Sequence, residues 1–274
     1  MNESLTRLFS GVVYVVLLLS ATTYSVNSFF ILFGFFMLVA VFEFCHLVHI
    51  NYIFPLIIAA LGYYLSTIYN FPEWLILFLL AFTLFVSIKG IVLLFSSKTE
   101  IIHPISKYIY TLGYIILPFI IIARIPFSGE GFRPKIIISI FILIWTNDTF
   151  AYIVGKSIGK HKLLEKISPK KTIEGFIGGI LFSILAGFLI SKYYFHPKPN
   201  YASTSQIIWT ISAVIISIFS TIGDLIESKF KRLAEVKDSG KIMPGHGGIL
   251  DRLDSIIFVA PFVYLFYQIL NYVS

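Results

Sequence analysis

The chain has 274 residues, of which 57% are hydrophobic and 13% charged, and its formal net charge is +7. With a mean hydropathy of +0.88, it has too little polar surface to cover a water-soluble globule of this size, so it is read as an integral membrane protein. The basic excess is confined to a few loops and forms neither an amphipathic face nor a basic tail. It therefore argues against nucleic acid and for anionic headgroups or phosphorylated substrates as partners. The single cysteine, Cys45, lies in an apolar run and can make no internal disulfide.

Apolar runs occur near 8–25, 28–46, 52–69, 74–95, 104–123, 135–155, 173–194, 206–227 and 254–272. Against a span of about 17–25 residues they predict an all-α, polytopic membrane fold with about nine transmembrane helices. The first run follows Arg7, as a signal peptide would, but no A-x-A cleavage pattern comes after it, so it counts as a span. The second and third are separated only by the polar patch around His46, His49 and Asn51.

Two basic loops set the orientation. The segment 156–172 carries Lys156, Lys160, Lys162, Lys166, Lys170 and Lys171, and the segment 228–253 carries Lys229, Lys231, Arg232, Lys237, Lys241 and Arg252; together they hold twelve of the 21 Lys and Arg residues. By the positive-inside rule both face the cytoplasm, as does the loop containing Lys98, while Arg124, Arg133 and Lys135 fall on the other side. Up to about residue 130 the spans carry almost no ionisable groups. This predicts an N-terminal multispan scaffold (1–130) and a C-terminal catalytic membrane region (131–274), with the SGEGFRP turn at 128–134 between them.

Asp148 ends a strongly apolar run and is expected to be a buried functional carboxylate. Ser168 or Thr172 can cap the helix that follows, with Glu174 in its first turn. Lys170 and Lys171 sit just before that helix start, where free N–H groups also favour anions. The other lysines of this loop are assigned to topology.

Asp224 falls near the end of an apolar helix, where an ionised carboxylate costs about 2.5–3.5 kcal/mol unless it is paired, hydrated or metal-bound. Glu227, Ser228 and Lys231 follow on the same helical face. Asp251 and Asp254, three apart, share a face at the start of the last span, where the helix N-terminus favours their charge. If the last two spans pack together, Asp224 and Asp251 converge, and hard oxygen ligands of this kind suit Mg²⁺. The competing assignment is membrane-edge salt bridges with Arg232 and Arg252, or a helix cap for Asp254.

Between these acids lies Pro244-Gly245-His246-Gly247-Gly248, an open turn whose N–H groups could approach an anion. Beside Lys237, Lys241 and Arg252 it reads as a phosphate cradle formed by Gly245, His246, Gly247 and Gly248. His246 is assigned a hydrogen bond to substrate or backbone, because a phosphate-monoester nucleophile is already ionised at neutral pH and needs no base.

The run S-x-x-K-R-x(4)-K-D-x-G-x(3)-P-G-H-G-G-x-x-D-R-x-D, from Ser228 to Asp254, resembles the signature of the phosphatidate cytidylyltransferase (CDP-diacylglycerol synthase) family. An upstream stretch is similar as well: NDT-x-AY-x-x-G-x-x-x-GKHKL followed by SPKKT-x-EG, between Asn147 and Gly175. Phe150 and Ile173 depart from that pattern. The resemblance covers about residues 135–272 and implies the reaction of CTP with phosphatidate to give CDP-diacylglycerol and pyrophosphate, in phospholipid biosynthesis.

It further implies Mg²⁺, with a second cation left open, and a site at the cytoplasmic face of the cell (inner) membrane. Asp224, Asp251, Lys237 and Arg252 are the expected catalytic residues, with Asp224, Asp251 and Asp254 as metal ligands. Asp148, Lys170, Lys171, Lys241 and the glycine turn are the expected substrate contacts. CTP, phosphatidate and membrane lipid are the implied partners, and a homodimer is expected from the resemblance alone. A CTP-dependent polyprenol or phytol kinase is the nearest alternative and would need a base, His246 or Asp148. A secondary transporter would instead place its acids near mid-membrane among inverted repeats.

Overall fold

The computed structural model describes residues 3–96, 103–127 and 131–273; Lys98 and the beginning of the 128–134 turn lie outside the described residues. The described residues form α1 (Glu3–Tyr24), α2 (Val26–Leu47), α3 (Ile53–Ile68), α4 (Glu73–Phe95), α5 (Pro104–Arg124), α6 (Pro134–Ile158), α7 (Ile173–Phe195), α8 (Ala202–Leu233) and α9 (Leu250–Val273). Eight of these are long and apolar enough to cross a bilayer. The exception is α3, with 16 residues; at about 24 Å it falls short of a hydrocarbon core of about 30 Å. The chain still traverses the bundle there. Glu43, near the end of α2, meets the start of α9, whereas Tyr63, towards the end of α3, donates to the Phe30 carbonyl near the start of α2 at 3.0 Å.

The basic segment 156–172 is partly a β-hairpin, a small departure from the all-α expectation. β1 (Lys162–Leu164) pairs antiparallel with β2 (Ser168–Thr172). Thr172 then caps α7, its hydroxyl accepting from the Gly175 N–H at 3.1 Å, as the Ser/Thr pattern predicts. The second basic loop is shorter than expected because α8 runs on to Leu233 and α9 begins at Leu250. At 32 residues, or about 48 Å, α8 exceeds the hydrocarbon thickness and carries its acidic last turns to the loop-rich end of the bundle.

Small residues set how closely α6 packs on α7 and α8 on α9. A Cβ on Gly178 of α7 would lie 2.7 Å from Val154 of α6, and one on Gly223 of α8 would lie 2.6 Å from the Phe258 Cβ of α9. Backbones can therefore approach as they do in small-residue membrane interfaces. The amide of Asn147 on α6 donates to Ser220 Oγ at 3.1 Å and Thr221 Oγ1 at 3.3 Å on α8. Phe150 stacks on Phe182 of α7 with ring centroids 3.8 Å apart, which gives this bulky residue a place between α6 and α7. Phe230 of α8 packs edge-on against Phe44 of α2, at 5.1 Å, and beside Tyr114 of α5, at 5.8 Å. The buried apolar core is thus continuous across residue 130.

Candidate active site

Helical periodicity places Asp224, Glu227, Ser228 and Lys231 along one face of α8. Ser228 Oγ donates to Asp224 Oδ1 at 3.3 Å, and the Lys231 ammonium pairs with Glu227. Facing them from the first turns of α9 are Asp251 and Asp254. Lys171, from β2, pairs with Asp224. Burial alone would lower the pKa of that ammonium, but the carboxylates of Asp224 and Asp148 outweigh it and hold it above the ordinary lysine value.

One ligand oxygen each from Asp224, Glu227 and Asp254 lie within 4.8 Å of one another. Glu227 and Asp254 are buried. Glu227 Oε1 has no hydrogen-bond partner among the described residues. Three crowded carboxylates, one with an unmet oxygen, fit a small divalent cation with oxygen ligands, whose charge would offset their mutual repulsion.

Asp251 is not in that group, contrary to its expected role as a ligand. Its side chain is only 5% exposed and is saturated by the protein. Oδ1 accepts from Lys231 Nζ at 2.8 Å; Oδ2 accepts from the Ser239 N–H at 2.9 Å, Ser239 Oγ at 2.9 Å and the Gly248 N–H at 2.7 Å. Glu227, one turn beyond Asp224 on α8, is the third acid of the group.

Part of the glycine turn, the expected phosphate cradle, is already engaged by the protein. The Gly248 N–H is already donated to Asp251. A Cβ on Gly248 would lie 2.5 Å from both carboxylate oxygens of Glu43, and one on Gly247 would lie 2.5 Å from Asp251 Oδ2. These glycines make room for protein carboxylates. Gly245 and Gly247 also adopt φ of +75° and +86°, a region costly for other residues. His246 is held by Ser10 of α1, with Nδ1 2.7 Å from Ser10 Oγ, and its carbonyl accepts from Arg252 Nη2 at 3.2 Å. Its pKa is lowered, first by partial burial and then by Arg252 and Arg7.

Two cavities meet at this end of the bundle. A polar one of about 770 Å³ is lined by Lys170, Lys171, Asp224, Glu227, Lys231 and Asp238, among others. An apolar one of about 820 Å³ lies between α1, α6 and α9, against Val12, Val16, Phe141, Ile144 and Trp145. Both are bounded by Asp148, Asp251, Arg252, Asp254 and Ser255. Asp148 is therefore exposed to the cavities and not buried as expected. Lys237 and Lys241 are exposed and line neither cavity.

The pattern of spans and loops did not reveal Glu43. Its carboxylate, 3% exposed on α2, accepts from the Ile249 N–H at 3.2 Å and the Leu250 N–H at 2.8 Å, meeting two otherwise orphaned donors at the start of α9. The signal was present, as a lone acid inside the apolar run VFEFC. Tyr14, buried on α1 against the apolar cavity, was read only as part of a span.

The model of a family described as the cytidylyltransferase family matches residues 5–270. A protein of Staphylococcus epidermidis named phosphatidate cytidylyltransferase is 49% identical over 135 residues, 48% of each chain. Proteins of the same name in Staphylococcus aureus and Bacillus subtilis are 50% and 47% identical over 123 residues, about 44% of each chain. The matched segment thus spans about half the length of these curated relatives.

Proposed function

Because this chain belongs to the cytidylyltransferase family, we propose that it transfers the cytidylyl group of CTP to phosphatidate, forming CDP-diacylglycerol and releasing pyrophosphate. The observation that carries this reading is the common wall of the two cavities. One compartment is polar and rich in cations, and suits a soluble polyanion; the other is apolar and bounded by outward-facing α1, and suits lipid chains. A reaction joining a nucleotide to a membrane lipid needs that juxtaposition.

In this reading a phosphatidate oxygen, ionised without help, attacks the α-phosphorus of CTP from the Asp148–Arg252 boundary. The new P–O bond forms as the bond to the β-phosphate oxygen breaks, and pyrophosphate departs on the polar side. Lys171 and Arg252 orient the phosphates and offset the charge that builds on the transferred group and the leaving group. Lys231 of α8 is held between Glu227 of its own helix and Asp251 of α9, and ties the two helices together. Asp224, Glu227 and Asp254 would hold Mg²⁺, which supplies charge neutralisation and a template for phosphate oxygens when bound.

Residues 131–274 supply the acids and cations of the site. Residues 1–130 act as a scaffold that also contributes Glu43 and the α1 wall. The density of lysine around the polar cavity supports a cytoplasmic orientation in the cell membrane.

The test is direct. Purified protein in detergent with CTP, Mg²⁺ and phosphatidate is expected to release pyrophosphate and form a cytidylylated lipid. Replacing phosphatidate with a polyprenol or phytol tests the kinase alternative. Phosphorylation of those alcohols, with no product from phosphatidate, would overturn the reading.

A further inference from the structure

Most of α1 faces outward, with Leu8, Val12 and Val16 more than half exposed. One stripe turns in. Arg7, Ser10, Gly11 and Tyr14 follow the i, i+3, i+4, i+7 spacing of a single helical face. Ser10 and Gly11 abut His246, and a Cβ on Gly245 would touch the side chain of Arg7.

Tyr14 has a different character from the rest of the stripe. It is 8% exposed, yet its hydroxyl has no hydrogen-bond partner among the described residues. An unmet buried hydroxyl is costly, and phenylalanine would fill the same space without that cost. The ring lines the apolar cavity, within electrostatic reach of Arg252 and Asp254. Arg7 lies seven residues before it, about 10 Å along the helix axis. Tyr14 thus stands between a charged rim and an apolar interior walled by Phe141, Ile144 and Trp145. In a glycerolipid the groups at that depth, between phosphate and acyl chains, are the ester carbonyls.

We propose that α1 forms one wall of the acceptor-lipid site and that the Tyr14 hydroxyl donates a hydrogen bond to an ester carbonyl of a phosphoglyceride whose phosphate lies at the Arg252 end of the cavity. This deepens the functional reading above and rests on it for the identity of the lipid. Tyr14 then selects for ester-linked over ether-linked acceptors.

The experiment compares diacyl phosphatidate with its dialkyl ether analogue of equal chain length, using the full-length wild type and Tyr14→Phe. For the wild type the lipid KM is expected to be about three- to tenfold higher with the ether lipid, the range for loss of one neutral hydrogen bond. In Tyr14→Phe the KM for the diacyl lipid rises by the same factor, the ester preference disappears and the KM for CTP holds. Without lipid, the thermal midpoint of Tyr14→Phe is expected to equal or exceed that of the wild type, since no protein partner is lost. An unchanged lipid KM, a retained ester preference or a lowered lipid-free midpoint would each overturn the proposal. Absence of pyrophosphate release from the wild type with either lipid would overturn the functional reading instead. Thermal shifts given by the two lipids in the absence of nucleotide would then still decide the Tyr14 contact.

Discussion

The carboxylate of Glu43 on α2 and the backbone N–H of Leu250 at the head of α9 are joined by a 2.8 Å hydrogen bond across 207 residues of chain. A second bond, from the Ile249 N–H, completes the grip. Glu43→Ala leaves both donors buried and unmet, and is expected to cost about 2–4 kcal/mol. Activity should fall with it, because Asp251, Arg252 and Asp254 ride on that helix end. Glu43→Gln keeps one acceptor oxygen and should retain part of the stability. Thermal unfolding in detergent checks this, and an alanine variant as stable as the wild type would show the contact to be idle.

The acids around α8 separate into two kinds. Asp224→Asn, Glu227→Gln and Asp254→Asn are each expected to reduce turnover by about a hundredfold or more, as removal of a key electrostatic group does, while leaving the fold intact because crowding of like charge is relieved. Asp251→Asn should do the reverse in emphasis, losing about 1–3 kcal/mol of stability through its four contacts. EDTA should stop the reaction and Mg²⁺ restore it. Independently of turnover, Mg²⁺ should raise the thermal midpoint of the wild type and not that of Glu227→Gln.

Lysines that look alike in sequence should behave differently. Lys171→Met removes the partner of Asp224 from the polar cavity and is expected to raise the KM for CTP at least tenfold. Lys237→Ala and Lys241→Ala, both exposed and outside the cavities, should stay within about twofold, in keeping with small effects at screened surface charges. Steady-state kinetics with varied CTP distinguishes them, and equal losses for all three would refute the placement.

His246 gives a pH signature. Its pKa is lowered in the folded protein, so between that value and its unfolded value of about 6.5 the unfolded chain binds more protons. Stability should therefore fall as pH drops below about 6.5 and level off above it. His246→Asn should flatten that slope in thermal midpoints measured between about pH 5 and 7. A slope unchanged by the substitution would assign it to other groups.

Much of the architecture was legible in the pattern of apolar runs, because a helix in lipid must satisfy its own backbone and its length is set by the bilayer. Only α3 falls short of a full span on length. The convergence of α8 and α9 was legible too, since an acid near the end of an apolar helix demands a partner. Two of the expected ligands, Asp224 and Asp254, do group; that Glu227 and not Asp251 is the third was not legible. The sequence puts Glu227 on the face of Asp224, but the engagement of Asp251 by Lys231, Ser239 and Gly248 depends on the path of the loop between α8 and α9, which has no periodicity to read. The engagement of Gly248 was hidden for a related reason. Its N–H is claimed by Asp251, and those of Ile249 and Leu250 by Glu43, and a contact made across 207 residues leaves no local trace in sequence. Asp148 lay at the edge of an apolar run, but the cavities on either side keep it open.

The partition formed by Asp148, Asp254 and Arg252 has a consequence for traffic. On the reaction proposed above, a molecule stitched together across it would be an amphiphile from the moment it exists, with its sugar and base on the wet side and its tails still in oil. It would have no reason to pass through water. It would slip sideways past α1 into the bilayer, while the small anion cut loose on the other side would diffuse away, so the two products would leave by different doors and neither would block the other.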